Sequence, residues 1–487
     1  GVFSASGVNS IGTVGAVTNT GSAGITFGAA SGATLNIGSL ALGNSMTFNA
    51  VGTGIINVNG DINSSVNPTK VGTGTLNVTA NITTSASTAW NISQGTMNIS
   101  GAAGRLSSAT GNIIINNNAL LNVDDTAGVL TRIGGTARTM NLANGSFTFV
   151  GNGTAASALQ FGALTSTWGG NTITLNNAGA ADATLTFASM ASNVVNGGSV
   201  LALASTQAFG PATNRLIITA APTLTGNLIQ RAVVIDANGT NFATAAVAAT
   251  PTAGTTNGSN VVTLTAGNTF QMVVGQSVTN ANITGTITAI TGPTTFTVST
   301  NATATASASL TVSAAGIAAL NASAQALSDG TGSGTDLTFA NVNGGTAYGL
   351  NAAKDLISGA FSTAATFRVT ADTAALSSPG LNFRGINALK IEGANTDVTF
   401  ATSGGTQLAI GSGNILSVGV NQTIGNATLM AAASSPVVFF GTITGTGAVA
   451  AAPVFTSVEG GFLVAAGANL TVNAAFFTTA NVTKGLG

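Results

Sequence analysis

Short runs in which apolar residues flank Asn or Thr recur along the chain, as in Leu35-Asn36-Ile37, Ile56-Asn57-Val58 and Leu76-Asn77-Val78. Alternation of period two places the flanking pair on one face of a strand and the central residue on the other. The apolar pair therefore faces a core. The series continues through Met97-Asn98-Ile99, Leu121-Asn122-Val123 and Met140-Asn141-Leu142, with Asn-to-Asn steps of 21, 20, 21, 24 and 19 residues. Around one pair of copies the match is wider: residues 51–62 recur as 71–82, each opening with Val-Gly-Thr-Gly. A spacing held over six copies marks a stacked architecture. About 20 residues, with short strands and Gly or Asn at the corners, is the length of one turn of a parallel β-helix with rungs about 4.8 Å apart. The fold class expected is all-β: a parallel β-helix (β-solenoid) of about 20-residue rungs. In it Asn36, Asn57, Asn77, Asn98, Asn122 and Asn141 are expected to form a hydrogen-bonded structural ladder on the outside or in the turns.

Beyond residue 145 the same pattern persists at looser spacing, from Phe147-Thr148-Phe149 to Leu470-Thr471-Val472. Residues 21–249 are thus expected to be solenoid, with a continuation over 331–487. Between them, 250–312 holds close-set strand patterns divided by Gly, Asn and Pro, which predicts a small inserted antiparallel β module. The Ala-rich stretch Ala314 to Leu327 spaces Ile317, Leu320 and Leu327 for one face, predicting a short helix or linker over 313–330. In residues 1–20, Val2, Phe3, Val8 and Ile11 stand among small residues, which suits a strand that pairs with a neighbouring subunit's edge.

Composition sharpens this picture. Of 487 residues only 11 are Lys or Arg and 12 are Asp or Glu, for a net charge of −1, while 44% are hydrophobic. Disorder is disfavoured by that apolar content. Identical positions stack directly in a repeat, so a charge at each copy would repel the next; uncharged Asn and Thr avoid this. Cys and His are both absent, which removes thiolate and imidazole chemistry and any disulfide framework. No apolar run reaches the roughly 18 residues of a membrane-spanning helix, and dispersed basic residues offset by acids give no nucleic-acid footprint. No signal-peptide pattern stands at Gly1, and the expectation is a mature or processed form.

Candidate chemistry is sparse. Asp124-Asp125 and Asp397 superficially suggest the carboxylates of β-helical glycan hydrolases, but they are far apart and lack His; Asp and Asn are also favoured turn residues. With Glu392 and Glu459 the only two Glu, a glycosidase acid/base pair is disfavoured. Asp124 and Asp125 are the candidate metal ligands, calcium being the ion their oxygens suit, although no calcium-loop motif surrounds them. Thr-x-Thr strands such as Thr172-Ile173-Thr174 admit an ice-binding face, against the plainer reading that Thr suits exposed strands. Trp90, Trp168 and Tyr348 admit a sugar-stacking platform, against core or interface anchoring.

Residues 70–79, Lys-Val-Gly-Thr-Gly-Thr-Leu-Asn-Val-Thr, are similar to the autotransporter-associated strand repeat, and Gln94-Gly-Thr-Met-Asn-Ile99 is similar to its closing half. On these motifs the chain resembles the β-helical passengers of bacterial surface proteins: autotransporters, filamentous haemagglutinins and rickettsial outer membrane protein B. The resemblance covers residues 20–145; elsewhere it rests on composition. It implies export, an extracellular or bacterial cell-surface location, and a role in a surface layer, fibre or adhesion. The expected departure from it is at the translocator, because Asn481 to Gly487 lacks the aromatic girdle pattern of such strands. Near-zero net charge favours self-association. The function expected is a secreted, non-enzymatic structural protein whose partners are copies of itself; the alternatives are a monomeric adhesin passenger binding host cells or glycans and, third, a polysaccharide-processing enzyme.

Overall fold

The computed structural model describes residues 2–11, most of 24–319, and 326–328, 366–369, 383–398, 407–425, 437–444, 454–457, 459–478 and 482–485. These residues form strands, turns and bends and no helix, so the described fold is all-β, with mostly parallel strands in large sheets. The chain divides into two compact units: Gly1–Pro222 with Ile235–Asn238, and Thr223–Val234 with Gly239–Gly487.

In the first unit, Thr75–Val78 shows why strands form. Leu76 and Val78 are fully buried, while Thr75 and Asn77 are half-buried on the opposite face. Thr34–Ile37, Ile55–Val58 and Thr96–Ile99 repeat the alternation. These strands pair in parallel, each with the copies one repeat before and after, so Leu35, Ile56, Leu76, Met97, Leu121, Phe147 and Ile173 share one inward column. We call this the asparagine sheet. It runs from Val8–Ile11 to Ser199–Ala204 with no register shift. Truncating one of its core residues to Ala costs about 2–5 kcal/mol.

A second parallel sheet contains Ile25–Ala29, Met46–Ala50, Thr69–Val71, Trp90–Ile92, Ile113–Asn116 and Met140–Ala143. Its inward column begins with Phe3, Phe27 and Phe48, stacked with ring centroids 5.6 and 5.7 Å apart. Lys70, Ile92 and Ile115 then occupy the same column. A short third sheet joins Leu40–Leu42, Ile62–Ser64, Asn81–Thr84 and Arg105–Leu106. The 20-residue strand Ser157–Asn176 serves both long sheets: its early residues pair with Ala183–Met190 and its late ones with Ser146–Val150 and Ser199–Ala204. At the corner after Lys70 the chain requires glycine, because Gly72 has φ of 74° and a Cβ there would lie 2.2 Å from the Ala50 carbonyl oxygen.

Each N-terminal strand pairs on one side with a later strand of its own chain. Val2–Ala5 lies in register on Ile25–Ala29, and Val8–Ile11 on Thr34–Ile37. Phe3 continues the column set by Phe27, on whose ring it stacks. Residues 12–20 of the segment lie outside the described residues.

In the second unit, 252–312 carries seven antiparallel strands in the order Ala306–Ser309, Thr252–Thr255, Val261–Ala266, Thr295–Val298, Thr284–Ile290, Ser277–Thr279, Thr311–Val312. They enclose a separate core that includes Val262, Ile287, Phe296, Val298 and Leu310. Parallel pairing returns in Thr366–Val369, Phe383–Ile391, Gln407–Ser417 and Val437–Thr444 around Ile391, Leu408, Ile415 and Phe440.

One expectation about this unit is corrected. Over Ala314 to Leu327 the described residues form strands, Gly316–Ala319 and Ala326–Ser328, in place of a helix. The first pairs antiparallel with Ala243 to Ala246 and the second in parallel with Phe367 to Val369; Ala propensity for helix is a weak preference that sheet pairing overrides. The compact units divide after Pro222, with Thr223–Val234 grouped with the C-terminal residues. Gln230 donates to the Ser412 carbonyl at 3.2 Å, and Arg231 pairs with Glu459. Residues 331–365 of the expected continuation lie outside the described residues.

Candidate functional site

The asparagine column is the most regular polar feature of the first unit. Asn57 Nδ2 donates to Asn36 Oδ1 at 2.8 Å, Asn77 to Asn57 at 2.9 Å and Asn98 to Asn77 at 2.9 Å. Asn122 stands next in register, with a buried Oδ1 that has no hydrogen-bond partner. Its neighbour on the far side is Thr148, not Asn141. Asn141 belongs to the second sheet, between Ile114 and Thr165, and accepts a hydrogen bond from Thr167 at 3.4 Å. The lengthened repeats after residue 100 shift the Asn triplet from one sheet to the other.

Further Asn pairs sit at corners. Asn144 donates to Asn118 at 2.8 Å, and in the second unit Asn421 donates to Asn395 at 3.1 Å and Asn469 to Asn421 at 3.2 Å. Asn118, Asn144, Asn395 and Asn421 all have positive φ, between 53° and 62°, a conformation Asn tolerates better than other side chains. Sequence reasoning missed these; their signal is Asn recurring one repeat apart just after a strand, as at 118 and 144.

Among the described residues several of the scarce charges are internal. Lys70 is fully buried in the column between Phe48 and Ile92, where its Nζ donates to the carbonyls of Val71, Gly72 and Gln94 at 2.9, 2.7 and 3.0 Å. Burial pushes its pKa down to about 8. Three carbonyls use all three ammonium donors, so the side chain clamps the Gly72 corner to the next repeat. Burial likewise pushes Arg138 down to about 10.

In the acidic pair suggested for calcium, one oxygen of each carboxylate is bonded within the chain. Asp124 Oδ1 accepts the Thr126 N–H at 2.9 Å, a local turn bond. Asp125 is buried against Arg132, whose Nε lies 3.2 Å from Oδ1 and whose other nitrogens donate to the carbonyls of Gly104 and Gly101 at 2.9 and 2.8 Å. A guanidinium therefore supplies the positive charge at this carboxylate. Among the described residues no group of three or more acidic side chains is placed to hold a metal ion.

In the second unit Arg231 Nη1 meets Glu459 Oε1 at 2.5 Å, and Thr483 donates to the same oxygen at 3.0 Å. Burial lowers the Arg231 pKa, opposed by the charge and hydrogen bond of Glu459. Lys390 donates to Asn241 at 2.6 Å and lies 3.4 Å from Glu392. Each Glu thus faces a cation. Asp124 and Asp125 fall in the first unit and Asp397 in the second.

Of the aromatic candidates, Trp90 is buried and stacks parallel to Phe48 at 6.5 Å, while Trp168 is half-exposed and Tyr348 lies outside the described residues. At the N-terminal strands Val2 and Val8 are exposed, and Phe3 is 41% exposed with one face on Phe27; Ile11 is in register with Ile37. No helix among the described residues is long and apolar enough to cross a membrane. The chain matches no protein-family model, no curated relative and no solved structure.

Proposed function

We propose that the chain is a β-solenoid and that it serves as a structural protein outside the bacterial cell, assembling with copies of itself into a surface layer or fibre. The observation that carries this reading is the in-register stack of uncharged side chains, with inward apolar columns and a hydrogen-bonded Asn column repeated at intervals of 20 or 21 residues. Parallel pairing of the internal strands of the asparagine sheet with the copies one repeat before and after supports winding in preference to a closed barrel. The resemblance of residues 70–79 and 94–99 to the autotransporter-associated strand repeat supports the exterior location. Buried cations bonded to backbone carbonyls support a role in holding strands together.

Electron microscopy of the purified chain over a range of concentrations tests the reading. Ordered filaments or sheets of this chain alone are expected. Dispersed single particles at every concentration would overturn self-assembly and leave the adhesin reading, to be pursued with glycan- and cell-binding assays.

A further inference from the structure

The outward face of the asparagine sheet is unlike the other outward faces of the first unit. One of its columns runs from Thr34 through Ile55, Thr75, Thr96 and Leu120 to Thr172; the other runs from Asn36 to Thr174. All of these positions are half-buried, and none carries a charge. The second sheet, by contrast, has a register shift between Leu142 and Ala143, and the third sheet has only four strands.

We infer that this face is the contact through which two copies of the chain pack laterally, sheet against sheet. The inference deepens the self-assembly reading and rests on it. Three observations favour a second copy as the occupant. The repeat is commensurate with itself, because any partner face must present rows at the same spacing of about 4.8 Å, and an identical sheet does so at every row. Neither column carries a charge of the kind that natural sheets use to discourage such stacking; Asp124, on the same face, lies outside both columns at the end of its strand, with its Oδ1 on the Thr126 N–H. Nine strands at that spacing, each contributing four residues, form a face of roughly 550 Å², so two copies bury on the order of 1,100 Å². That is within reach of a specific interface. In addition, Asn57 and Asn77 each spend one N–H and one carbonyl lone pair along the column. An Asn amide has a second donor and a second lone pair, and these are available to the opposing column.

The chain has no cysteine, so a single introduced thiol reports contact without background. Thr96→Cys lies at the middle of the face, and Thr47→Cys on the outward side of the second sheet serves as the control. Under mild oxidation at micromolar concentration, Thr96→Cys is expected to give at least ten-fold more disulfide-linked dimer than Thr47→Cys. Thr75→Lys with Leu120→Lys, added to Thr96→Cys, is expected to abolish that dimer, whereas Thr26→Lys with Thr69→Lys leaves it unchanged. Matching melting curves verify folding of each variant. If ordered assemblies form but Thr96→Cys cross-links no better than Thr47→Cys, this contact is wrong and self-assembly stands. If Thr96→Cys dimers form without larger assemblies, the contact stands and the layer or fibre fails. If neither forms, or if the monomer instead binds insoluble chitin through this face, both are overturned.

Discussion

The asparagine column makes a prediction that separates a chain of side-chain bonds from five unrelated polar residues. Asn77→Val keeps strand propensity and removes the amide. It breaks two bonds, to Asn57 and from Asn98, each 2.9 Å long. At about 0.5–1.5 kcal/mol per bond the loss is about 1–3 kcal/mol, and partial exposure, which lets water replace a partner, places it near 1–2 kcal/mol. Asn57→Val also breaks two bonds, to Asn36 and from Asn77. One bond is common to both variants, so the double variant loses three bonds instead of four and is more stable than additivity predicts by about 1 kcal/mol. Asn122→Val, at a residue whose Oδ1 has no partner, is expected to cost less than about 0.5 kcal/mol. Urea unfolding followed by Trp emission measures these differences, because Trp90 and Trp168, the only two Trp, both lie in the first unit. Strict additivity of Asn57→Val and Asn77→Val, with single losses no larger than that of Asn122→Val, would refute the reasoning.

Other perturbations test the buried charges and the corner. Lys70 holds its proton less tightly when folded, with a pKa of about 8 against an ordinary 10.5. The unfolded chain therefore binds more protons between these values, and stability attributable to Lys70 rises with pH across about 8 to 10.5. The effect is about 1–3 kcal/mol after solvent screening; melting temperatures of the wild type should climb across this window relative to Lys70→Met, and parallel profiles would count against it. Asp125→Ala strands the buried Arg132 guanidinium and is expected to cost about 3 kcal/mol or more. Millimolar calcium should leave the wild-type melting temperature unchanged, and a rise of several degrees would restore Asp125 as a metal ligand. Gly72→Ala forces a side chain onto the Ala50 carbonyl at positive φ, with an expected loss above about 2 kcal/mol; a neutral result in thermal unfolding would mean that the corner is far softer than its geometry implies.

How much of this was legible beforehand follows from which interactions are local. The alternation around Leu76-Asn77-Val78 and the step of 20 or 21 residues were readable because both sides of each pairing carry the same pattern. Asn141 misled because a triplet reports a strand and its inward face, not which sheet the strand joins. Once the repeats lengthen, Phe147-Thr148-Phe149 takes the place that the spacing assigned to Met140-Asn141-Leu142. Ala314 to Leu327 misled for a related reason: Ala content speaks for helix locally, while the partner strand ending at Ala246 is distant in sequence. Lys70 sits in a slot filled elsewhere by Phe or Ile, and nothing local marks it as inward. The Arg231–Glu459 pair, 228 residues apart, has no local signature either.

Among the described residues the Asn bonds from side chain to side chain share one sense. Asn57, Asn77, Asn98, Asn116, Asn144, Asn421 and Asn469 each donate to the Asn of the preceding strand or corner. Side-chain amides thus line up head to tail, each carrying a dipole comparable to the 3.5 D or so of a peptide unit. The column is vectorial: a single amide flipped within it would set two oxygens face to face on one side and two NH₂ groups on the other. Within the first unit the row gives the asparagine sheet an electrical direction running from its earlier repeats to its later ones.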